Sequence, residues 1–572
     1  MNRILQKAFI SGAERVSAWA DLIDSINVFP VADGDTGRNL TISLAPLRQL
    51  DEDREYAIRQ LLVSSCGNSG NIAASFFSKF LKADSSASLF QAAVSGRDSA
   101  WQSVSHPRQG TMLTVFDALV EILEDVDIRY NNGYVSEVID YLGNAVKSTS
   151  NILPQLKDAG VVDAGALGIY IYLESFFNTL VGKKSGFRPL FSTFRDRLQL
   201  SSSFRKRAET GHCVNMVINL DDNLRKSINK LAEYGKNVVV IPENDYLKVH
   251  IHTDNKKKLR KRIESLGDLI QWKDADIAVH MQGFQSRNPR QPLHLMTDAA
   301  GSLTREEAQK LGITLLDSYI MVGKRSLPET FLTPERLYAS MRNGVKVTTS
   351  QASVFERNQS YQSVLDRYQN ILYLCAGSFF TGNYGVAAEW KQKNDPSDRF
   401  KIIDTGAASG RLGTIVIATA MYLAKTDNFD SVCKFALRAV HKCKEYIFLD
   451  KLKYLAAGGR LAKSNAFFGD IFNVKPVLSQ TVEGIQKIGT AKNRDGQLEF
   501  ALEKLEKKLE KKSSPFIMLE YSDNKSWIND TVKKKITKLF PLSEISVKPF
   551  SLTSGVHMGP GTWAVAFLPE SV

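Results

Sequence analysis

No hydrophobic run in this sequence is long enough to cross a membrane. The chain has 572 residues, of which 43% are hydrophobic and 24% are charged. No apolar stretch approaches the roughly 20 residues that span a bilayer. The first residues become polar soon after Ile4 and lack the apolar core of a secretion signal. We therefore expect a cytoplasmic protein without a transmembrane segment.

Cysteine is also scarce. The five cysteines are odd in number and far apart in the sequence, which argues against a disulfide framework and for a reducing compartment. Zinc-finger spacings and RNA-binding aromatic motifs are missing as well. The net charge of +13 therefore does not by itself indicate a nucleic-acid partner, and we expect none.

Part of the positive charge lies in the lysine-rich segment 503–512. Leucines recur beside it at helical spacing, at Leu498, Leu502, Leu505 and Leu509. This pattern favours a docked helix with a solvated charged face. Transient contact with a membrane surface is the alternative interpretation.

The length of the chain indicates roughly three or four domains. Residues 1–182 show helical periodicity, residues 205–283 resemble a small α/β module, and residues 291–572 alternate short apolar runs with helical patterns. Breaker-rich stretches at 182–189 and 286–292 separate these regions. The predicted fold class is an all-α domain, a small α/β middle domain and a C-terminal α/β half with parallel sheets. Strands are predicted over 214–220, 237–241, 247–252, 293–296, 371–374 and 401–403, and helices over 137–148, 166–180, 224–234, 413–423 and 429–443.

The most informative segment is a glycine-punctuated turn that carries two carboxylates. Asp33 and Asp35 flank Gly34, and a helical pattern follows from Thr36. Two carboxylates this close repel each other, and Mg²⁺ removes the conflict because it favours carboxylates together with phosphate oxygens and water. The turn therefore indicates a site for metal and nucleotide phosphate, although alone it also fits an ordinary surface turn.

Two further segments place small and hydroxyl-bearing residues at predicted helix starts. Gly67-Asn68-Ser69-Gly70 precedes one apolar helical run, and Gly110-Thr111-Met112-Leu113-Thr114 begins another. Small residues let backbone N–H groups approach an anion, and the helix dipole adds a modest favourable interaction. Taken singly, each segment is also an ordinary helix start.

Together these segments resemble the nucleotide-binding domain of the dihydroxyacetone kinase family, known as DhaL or DAK2, over residues 1–182. The ordered matches lie at 27–30, 33–37, 67–70, 110–114 and 159–165. The resemblance implies an all-α barrel of helices that binds ATP and Mg²⁺ at one end, with Asp33 and Asp35 as catalytic residues that ligate Mg²⁺. It places Asn27 near the position of a third acidic ligand in the dihydroxyacetone branch. The nucleotide-binding residues that it implies are Asn27, Thr36, Asn39, Asn68, Ser69, Gly70, Thr111 and Asp163.

One part of this region departs from the family pattern. The family often has Gly-Ala-Arg before the GNSG loop, and this chain has Ser64-Ser65-Cys66. The missing cation puts the catalytic rate in question more than nucleotide binding. Cys66 is interpreted as a small packing residue, because phosphoryl transfer to a carboxylate needs no thiol nucleophile.

A second constellation lies in the middle module. His250 and His252 close a predicted strand and share one of its faces, and Cys213 lies in a neighbouring predicted strand. One thiolate and two imidazoles suit zinc and leave one position open, although the pattern alone also fits buried structural residues. The module resembles the middle domain of DAK2-type fatty acid kinases, whose GYC and HVHTD motifs bind zinc. The resemblance implies zinc at Cys213, His250 and His252, with Asn215 where the family usually has Glu.

The C-terminal half carries glycine- and hydroxyl-rich loops after predicted strands, at 349–353, 377–384 and 404–409. Ligands of α/β sheets bind at such loops. Gly458-Gly459-Arg460 adds an arginine suited to an anion, and His557 lies in a predicted loop before the last apolar strand. The segment 465–478 either lines a pocket or belongs to an ordinary core.

This half resembles the DegV family of fatty-acid-binding proteins over residues 291–572. The resemblance rests on the motifs at 297–298, 349–353, 378–384, 404–409, 458–460, 473–476 and 557–562. It implies two α/β domains with a long-chain fatty acid between them. Thr349, Ser378 and His557 would hold the carboxylate, and Arg460 would act in catalysis at the phosphate formed. The usual Asp-Ser-Ser is Asp298-Ala299-Ala300 in this chain, and the usual TSQPS reads TSQAS.

These resemblances predict an ATP-dependent fatty acid kinase with a fused acyl-binding module, which forms an acyl phosphate for lipid synthesis. Kinases of this type tend to dimerise, so a homodimer is expected. One alternative is a lipid-binding or regulatory protein with a weakened kinase domain, supported by Cys66 and Asn215. The other is a kinase of a small hydroxylated substrate, which predicts a substrate domain with a histidine that binds a ketone covalently.

Overall fold

The computed structural model describes residues 2–50, 53–125, 132–183, 185–205, 209–220, 224, 228–243, 245–278, 281, 293–457, 475–481 and 484–569. The chain packs into two compact units, Met1–Pro289 and Arg290–Val572. Each unit has its own hydrophobic core.

The N-terminal unit begins with a helical region, as predicted. Its helices are α1 (Arg3–Ala18), α2 (Ala20–Ser25), α3 (Thr36–Leu44), α4 (Arg54–Ser64), α5 (Gly67–Phe80), α6 (Leu89–Ser103), α7 (Met112–Asp125), α8 (Asn132–Ile152), α9 (Pro154–Ala159), α10 (Ala164–Leu180) and α11 (Leu190–Phe194). Asn2, Asp53 and Asp163 begin α1, α4 and α10 with side-chain oxygens that accept backbone N–H groups. These caps explain why polar residues stand directly before the apolar helical patterns.

The middle region is an antiparallel sheet in the order β2-β3-β1-β4. Its elements are β1 (His212–Asn219), β2 (Lys236–Pro242), β3 (Tyr246–Thr253), α12 (Lys256–Glu264) and β4 (Leu269–Asp276). The three predicted strands are confirmed, whereas α12 and β4 were not predicted. Part of the α-helix predicted over 224–234 is wrong, because Ile228–Tyr234 is a 3-10 helix. Gly235 follows at once, and β2 begins at Lys236; a Cβ at position 235 would lie 2.2 Å from the carbonyl oxygen of His252, so glycine is required there.

The middle sheet packs against the helical region. Val239 and Ile241 of β2 are buried in the same hydrophobic core as the helices. Val104, at the end of α6, pairs with Val239 in an isolated antiparallel bridge. The next residue, Ser105, donates its N–H to the carbonyl of Val238 at 3.0 Å. Side chains from the helices and from the sheet are therefore held in one packed unit.

The C-terminal unit combines helices with three sheets. Its helices are α13 (Arg305–Lys310), α14 (Pro334–Arg342), α15 (Val354–Arg367), α16 (Asn383–Asn394), α17 (Ser409–Leu423), α18 (Phe429–Lys442), α19 (Lys453–Ala457), α20 (Arg494–Lys508), α21 (Lys525–Trp527), α22 (Lys534–Leu539) and α23 (Leu552–Met558). Its strands are β5 (Leu293–Asp298), β6 (Ile313–Leu316), β7 (Tyr319–Val322), β8 (Arg325–Pro328), β9 (Val347–Ser350), β10 (Asn370–Cys375), β11 (Phe400–Asp404), β12 (Lys444–Phe448), β13 (Lys475–Thr481), β14 (Gly484–Ala491), β15 (Phe516–Tyr521), β16 (Glu544–Pro549) and β17 (Trp563–Leu568).

The prediction of parallel sheets is correct for only one of these sheets. The sheet β11-β10-β5-β6 is parallel throughout. The sheet β14-β13-β12-β17-β15-β16 is antiparallel except between β15 and β16, and the sheet β8-β7-β9 is antiparallel. Two residues separate β13 from β14, and strands joined so briefly pair only antiparallel. The predicted strands at 293–296, 371–374 and 401–403 and the helices at 413–423 and 429–443 are confirmed.

Residues 503–508 of the lysine-rich segment form the end of α20, whose apolar side is buried. Leu498, Leu505 and Leu509 are at most 5% exposed and pack in a core with Trp563. This burial matches the interpretation as a docked helix. Among the described residues, no helix combines the length and the apolar character that crossing a membrane requires.

Candidate functional site

Asn27 shapes the turn between α2 and α3. Its side-chain oxygen accepts the N–H groups of Asp35 and Thr36 at 3.2 and 3.0 Å, and its Nδ2 donates to the carbonyl of Val31 at 3.1 Å. Within the turn, Gly34 has φ 67°, a left-handed conformation that glycine adopts without a steric penalty. Asn27 was expected to contact the nucleotide, but both polar ends of its side chain are engaged inside the loop.

Asp33 and Asp35 are half-buried on this turn. Burial and the nearby charge of Asp35 raise the pKa of Asp33 well above its ordinary value. Asn39 Nδ2 donates to Asp35 Oδ1 at 2.8 Å, which fixes the orientation of that carboxylate. A cation would relieve the repulsion between the two carboxylates and would restore the ionised form of Asp33.

Asp24 in α2 also belongs to this region, and the sequence did not single it out. Its carboxylate accepts the N–H groups of Gly37 and Arg38 at 2.6 and 3.2 Å. Burial raises the pKa of Asp24 to about 7, with an opposing effect from Arg38. The first N–H groups of α3 therefore serve Asn27 and Asp24 rather than a ligand. The available signal was an acidic residue within an apolar helical run.

Residues 65–71, which we call the phosphate loop, pack against the first turns of α3. Thr36 Oγ1 lies 3.2 Å from Ser69 Oγ. A Cβ on Gly67 would come within 2.1 Å of Asn39 Nδ2, and one on Gly70 within 2.2 Å of the hydroxyl of Ser43. Only glycine permits this approach, which brings two hydroxyls and the N-terminus of α5 beside the carboxylate pair.

Thr111 and Asp163 lie apart from the carboxylates but share a cavity with the phosphate loop. Asn68, Ser69, Thr111 and Asp163 all line this cavity of about 1190 Å³, to which the middle sheet contributes residues such as Lys236. A cavity of this size accommodates a nucleotide. The structure thus brings these four predicted residues to the wall of one cavity.

Asp163 is held by the backbone at the start of α10. It accepts the N–H of Ala166 at 2.7 Å, and its own N–H donates to Thr149 Oγ1 at 2.9 Å. Burial raises the pKa of Asp163 to about 7. A carboxyl that is partly protonated at neutral pH suits contact with a neutral sugar or base better than contact with phosphate.

Cys213, His250 and His252 form a compact cluster on the middle sheet. Cys213 of β1 stands opposite His252 of β3 in the antiparallel register. Their ligand atoms and that of His250 all lie within 4.8 Å of one another. The amides of Asn215 and Asn237 lie 3.0 and 3.3 Å from the Nδ1 atoms of His250 and His252, respectively.

The electrostatic state of this cluster suits metal ligation. Burial lowers the pKa of His250 well below its ordinary value and lowers that of His252 to about 4, so both imidazoles are neutral at pH 7. Within the described residues, His250 Nε2 is buried and has no hydrogen-bond partner. A buried imidazole nitrogen without a partner beside a thiol and a second imidazole fits a metal ligand.

The carboxylate pair and the cluster line one recess. Asp33, Asp35, Cys213, His250 and His252 are all part of its wall. Burial is the main cause of the raised pKa of Cys213, and the charges of Asp35 and Asp33 raise this pKa further. The two sets of residues therefore influence each other directly, which the sequence did not reveal because more than 170 residues separate them.

In the C-terminal unit the structure brings Thr349 and His557 together. Thr349 Oγ1 lies 3.2 Å from His557 Nε2. Thr349 is in β9, whereas His557 is in α23 and not in the predicted loop. Ser551 caps α23 by accepting the N–H of Ser554 at 3.2 Å, and this local capping signal was not recognised in the sequence.

Ser378, the third predicted carboxylate ligand, lies in a neighbouring loop. Its side chain is exposed, and its N–H donates to Asp404 Oδ1 at 3.1 Å. Gln351 Nε2 donates to Thr381 Oγ1 at 2.9 Å, which places the loop after β9 beside the loop after β10. The loop that carries Ser378 therefore lies next to the loop that follows Thr349. Arg460 lies outside the described residues, as do residues 458–459, 465–474 of the segment 465–478 and 473–474 of the motif 473–476.

Asp298, the last residue of β5, holds the loop after β10 in place through hydrogen bonds. It is 1% exposed and accepts hydrogen bonds from Arg357 Nη1 at 3.1 Å, Tyr373 Oη at 2.9 Å and Asn383 Nδ2 at 2.8 Å. These donors, one of them a guanidinium, satisfy the buried carboxyl group. The two alanines that follow it leave this network intact.

A second carboxylate pair in this unit was missed altogether. Glu445 of β12 and Glu520 of β15 are both 0% exposed. Glu520 accepts the hydroxyls of Ser302 and Ser409 at 2.6 and 3.0 Å. Burial and the charge of Glu520 raise the pKa of Glu445 well above its ordinary value. Burial raises the pKa of Glu520 as well, so the pair resists carrying two negative charges.

Models of three known families match successive parts of the chain. A DAK2 domain model matches residues 30–178, and a model of the FakA-like middle domain of fatty acid kinase matches residues 209–280. A model described as an uncharacterised protein of the DegV family matches residues 292–570. The first two matches show that the N-terminal part of the chain is similar to domains of a kinase family.

Individual relatives cover only part of the chain. An uncharacterized protein of Staphylococcus saprophyticus is 28% identical over 304 residues, and one of Staphylococcus aureus is 28% identical over 302 residues. Each match spans 47% of this chain and 54% of the relative. The chain thus spans about half the length of the curated relatives it matches.

Solved structures similar to the chain include two DegV proteins. One, described as the fatty acid binding of a DegV family protein from Thermus thermophilus, is 23% identical with a TM-score of 0.45, covering 49% of this chain and 99% of that one. The other is DegV, a fatty acid binding protein from Bacillus subtilis, at 18% identity and a TM-score of 0.45, covering 49% and 100%.

The family matches and the fold lead to one description of the polypeptide. It joins a helical DAK2-like region, a small FakA-like middle region and an α/β DegV-like region, in that order.

Proposed function

We propose that the protein is an ATP-dependent kinase that phosphorylates the carboxylate of a long-chain fatty acid, which its DegV-like region binds. The observation that carries this proposal is the recess in the N-terminal unit. There the carboxylate pair, the hydroxyls of Thr36 and Ser69 and the N-terminus of α5 lie together. Carboxylates for metal beside donors for phosphate are the parts that phosphoryl transfer requires.

Asp33 and Asp35 would hold Mg²⁺, whose charge would offset that of the phosphates. The chain's own groups then position the nucleotide. The hydroxyls of Thr36 and Ser69 and the amides that begin α5 donate to phosphate oxygens, and Asn39 keeps Asp35 aligned. Thr111 and Asp163 would face the nucleoside in the adjoining cavity. Positioning and charge neutralisation of this kind supply most of the catalysis in phosphoryl transfer.

The reaction needs no general base. A fatty acid carboxylate is ionised at pH 7, so its oxygen can form the new bond to the γ-phosphorus without losing a proton. The bond between the γ-phosphorus and the bridging oxygen breaks, and ADP leaves with that oxygen. The products are an acyl phosphate and ADP. Cys66 is consistent with this scheme, because burial raises the pKa of its thiol to about 11 and removes it as a nucleophile.

Cys213, His250 and His252 would hold zinc, which takes four ligands and is therefore left with one open position. The fit rests on the short distances between their ligand atoms and on the buried Nε2 of His250. In the C-terminal unit, Thr349, His557 and Ser378 would bind the fatty acid carboxylate, with Arg460 near the phosphate formed. A homodimer remains the expected assembly.

Trapping of the product tests the proposed reaction. The full chain is incubated with ATP, Mg²⁺ and palmitate or oleate, and acyl phosphate is captured with hydroxylamine as a hydroxamate. Hydroxamate formation that depends on ATP and on the fatty acid supports the proposal. Its absence, with fatty acid still bound, supports a lipid-binding or regulatory protein instead. That second candidate is favoured by Cys66 and Asn215, which stand where related kinases usually carry Arg and Glu.

A further inference from the structure

Strand β3 is buried on both faces, and the two faces differ in chemistry. Leu247, Val249 and Ile251 point into the hydrophobic core of the middle domain. Lys248 and His250 alternate with them on the other face and are 3% and 0% exposed. A buried lysine beside predicted metal ligands is unusual, because an ammonium group is costly to bury unless its donors are satisfied.

Lys248 satisfies that requirement at the end of α4. Its Nζ donates to the carbonyls of Leu62 and Val63 at 2.8 and 3.1 Å and also contacts the carbonyl of Ser65. The last carbonyls of a helix have no intrahelical partner and carry the negative end of the helix dipole. The ammonium group therefore fixes the end of α4 and Ser65, the first residue of the phosphate loop.

Asn215 makes a second connection from the sheet to the phosphate loop. Its Oδ1 lies 3.0 Å from His250 Nδ1 and 3.4 Å from Asn71 Nδ2. Asn71 in turn donates to the carbonyl of Gly67 at 2.6 Å and accepts the hydroxyl of Ser65 at 2.8 Å. The loop is thus tied to β1 through Asn215 and to β3 through Lys248.

We propose that Lys248 and Asn215 couple the Cys213–His250–His252 cluster to the phosphate loop, so that a divalent ion bound at the cluster raises the affinity of the loop for nucleotide. An ion held at the cluster restrains β1 and β3, and the two side chains transmit that restraint to residues 65–71. Lys248 is a positioning residue, because its Nζ donates to backbone carbonyls. The inference rests on the proposed nucleotide site, and binding linkage requires that nucleotide raise ion affinity by the same factor.

A linkage titration of the full chain tests the coupling. The affinity for ATP in the presence of Mg²⁺ is measured by calorimetry after removal of zinc and again with Zn²⁺ restored. In the natural protein Zn²⁺ should tighten ATP binding about tenfold, a coupling of ordinary size. In Lys248→Met the ratio should fall below about twofold, while the Zn²⁺ affinity measured without ATP stays unchanged.

The control is Lys256→Met. Lys256 is on α12 in the same domain, is 41% exposed and pairs with Asp274, so this variant should keep the natural ratio. If Lys248→Met does not fold, Asn215→Ala serves instead, because it removes the link to Asn71 without leaving a buried charge. An unchanged ratio in these variants, or no effect of Zn²⁺ on the natural protein, overturns the coupling. Loss of ATP binding in every state would instead overturn the proposed nucleotide site.

Discussion

Each unit of the chain contains a pair of carboxylates, and the surroundings of the two pairs are opposite. Asp33 and Asp35 are half-buried on a turn that faces a recess. Glu445 and Glu520 are fully buried on β12 and β15, the two strands that flank β17. Burial and the partner's charge raise a carboxyl pKa in both pairs, so both resist holding two negative charges.

The two pairs differ in what can relieve that repulsion. The hydroxyls of Ser302 and Ser409 donate to Glu520, and the raised pKa of both buried acids disfavours the doubly charged state. The Asp33–Asp35 pair lies beside the hydroxyls of Thr36 and Ser69 at a recess on the surface of the N-terminal unit. The comparison teaches that paired acids indicate chemistry only where their surroundings admit a ligand.

The largest expected effect is on the open pair. Asp35→Asn should lower the rate of acyl phosphate formation by at least about 100-fold, because removal of one charge-stabilising group from a phosphoryl-transfer site costs this much or more. The melting temperature without metal should not fall, since the repulsion is relieved. Hydroxamate assays and thermal melting measure the two effects, with Asp98→Asn on the surface of α6 as control. A rate equal to that of the natural protein would remove Asp35 from the metal site.

The buried pair should respond in stability rather than in the kinase step. Glu520→Ala removes the acceptor of Ser302 and Ser409 and leaves Glu445 in a cavity, which should destabilise the C-terminal unit by about 3 kcal/mol. Hydrogen exchange of β12 and β15 should accelerate accordingly, while ATP affinity is unchanged. Glu503→Ala on the exposed side of α20 is the control. Equal protection of β12 and β15 from hydrogen exchange in both variants would contradict the structural role of the pair.

Substitution of Glu445, the other acid of the buried pair, should change how stability depends on pH. The raised pKa of Glu445 means that the folded state holds its proton more tightly than the unfolded chain does. That stabilisation is fully present below the pKa of about 4.5 in the unfolded chain. It is lost as the pH rises through the higher pKa of the folded state. Glu445→Gln should remove a pH dependence of up to about 1.4 kcal/mol per pH unit.

Melting temperatures from pH 5 upward measure this effect. The difference between Glu445→Gln and the natural protein should grow with pH in favour of the variant. Glu499→Gln on the exposed face of α20 should run parallel to the natural protein. A constant difference across the pH range would mean that no proton is shared.

The smallest expected effect is on fatty acid binding, which the proposal places in the C-terminal unit. Thr349→Val removes a hydroxyl beside His557 and should weaken fatty acid binding roughly fivefold, the worth of about 1 kcal/mol for one hydrogen bond. ATP binding should not change. Displacement of a fluorescent fatty acid measures the first effect, and Thr348→Val, one residue away with an exposed side chain, is the control. Equal affinities in both variants would exclude Thr349 from the carboxylate site.

Local patterns predicted most of what depends on neighbours in sequence. The helices of the N-terminal region, the strands of the middle domain and the turn at Asp33–Asp35 all follow from periodicity and turn chemistry. His557 was placed in a loop because the capping role of Ser551 was overlooked. The antiparallel pairing of the largest sheet could not be derived from alternation of strands and helices alone.

Contacts between distant segments account for what was missed. Asp24 lies in an apolar helix, and only the fold shows that its carboxylate caps α3. Lys248 shares a strand face with His250, which period-two alternation could have revealed. Its carbonyl partners on α4 are more than 180 residues away. Glu445 and Glu520 meet only across β17, and neither belongs to a recognisable motif.

Binding of Mn²⁺ in place of Mg²⁺ is the most direct test of the carboxylate pair as the metal site for nucleotide. Electron paramagnetic resonance follows Mn²⁺ with and without ATP in the full chain and in Asp35→Asn. The natural protein should hold Mn²⁺ tightly only with ATP, and Asp35→Asn should leave the ion free in solution. Equal retention of Mn²⁺ with ATP by both proteins would contradict the assignment.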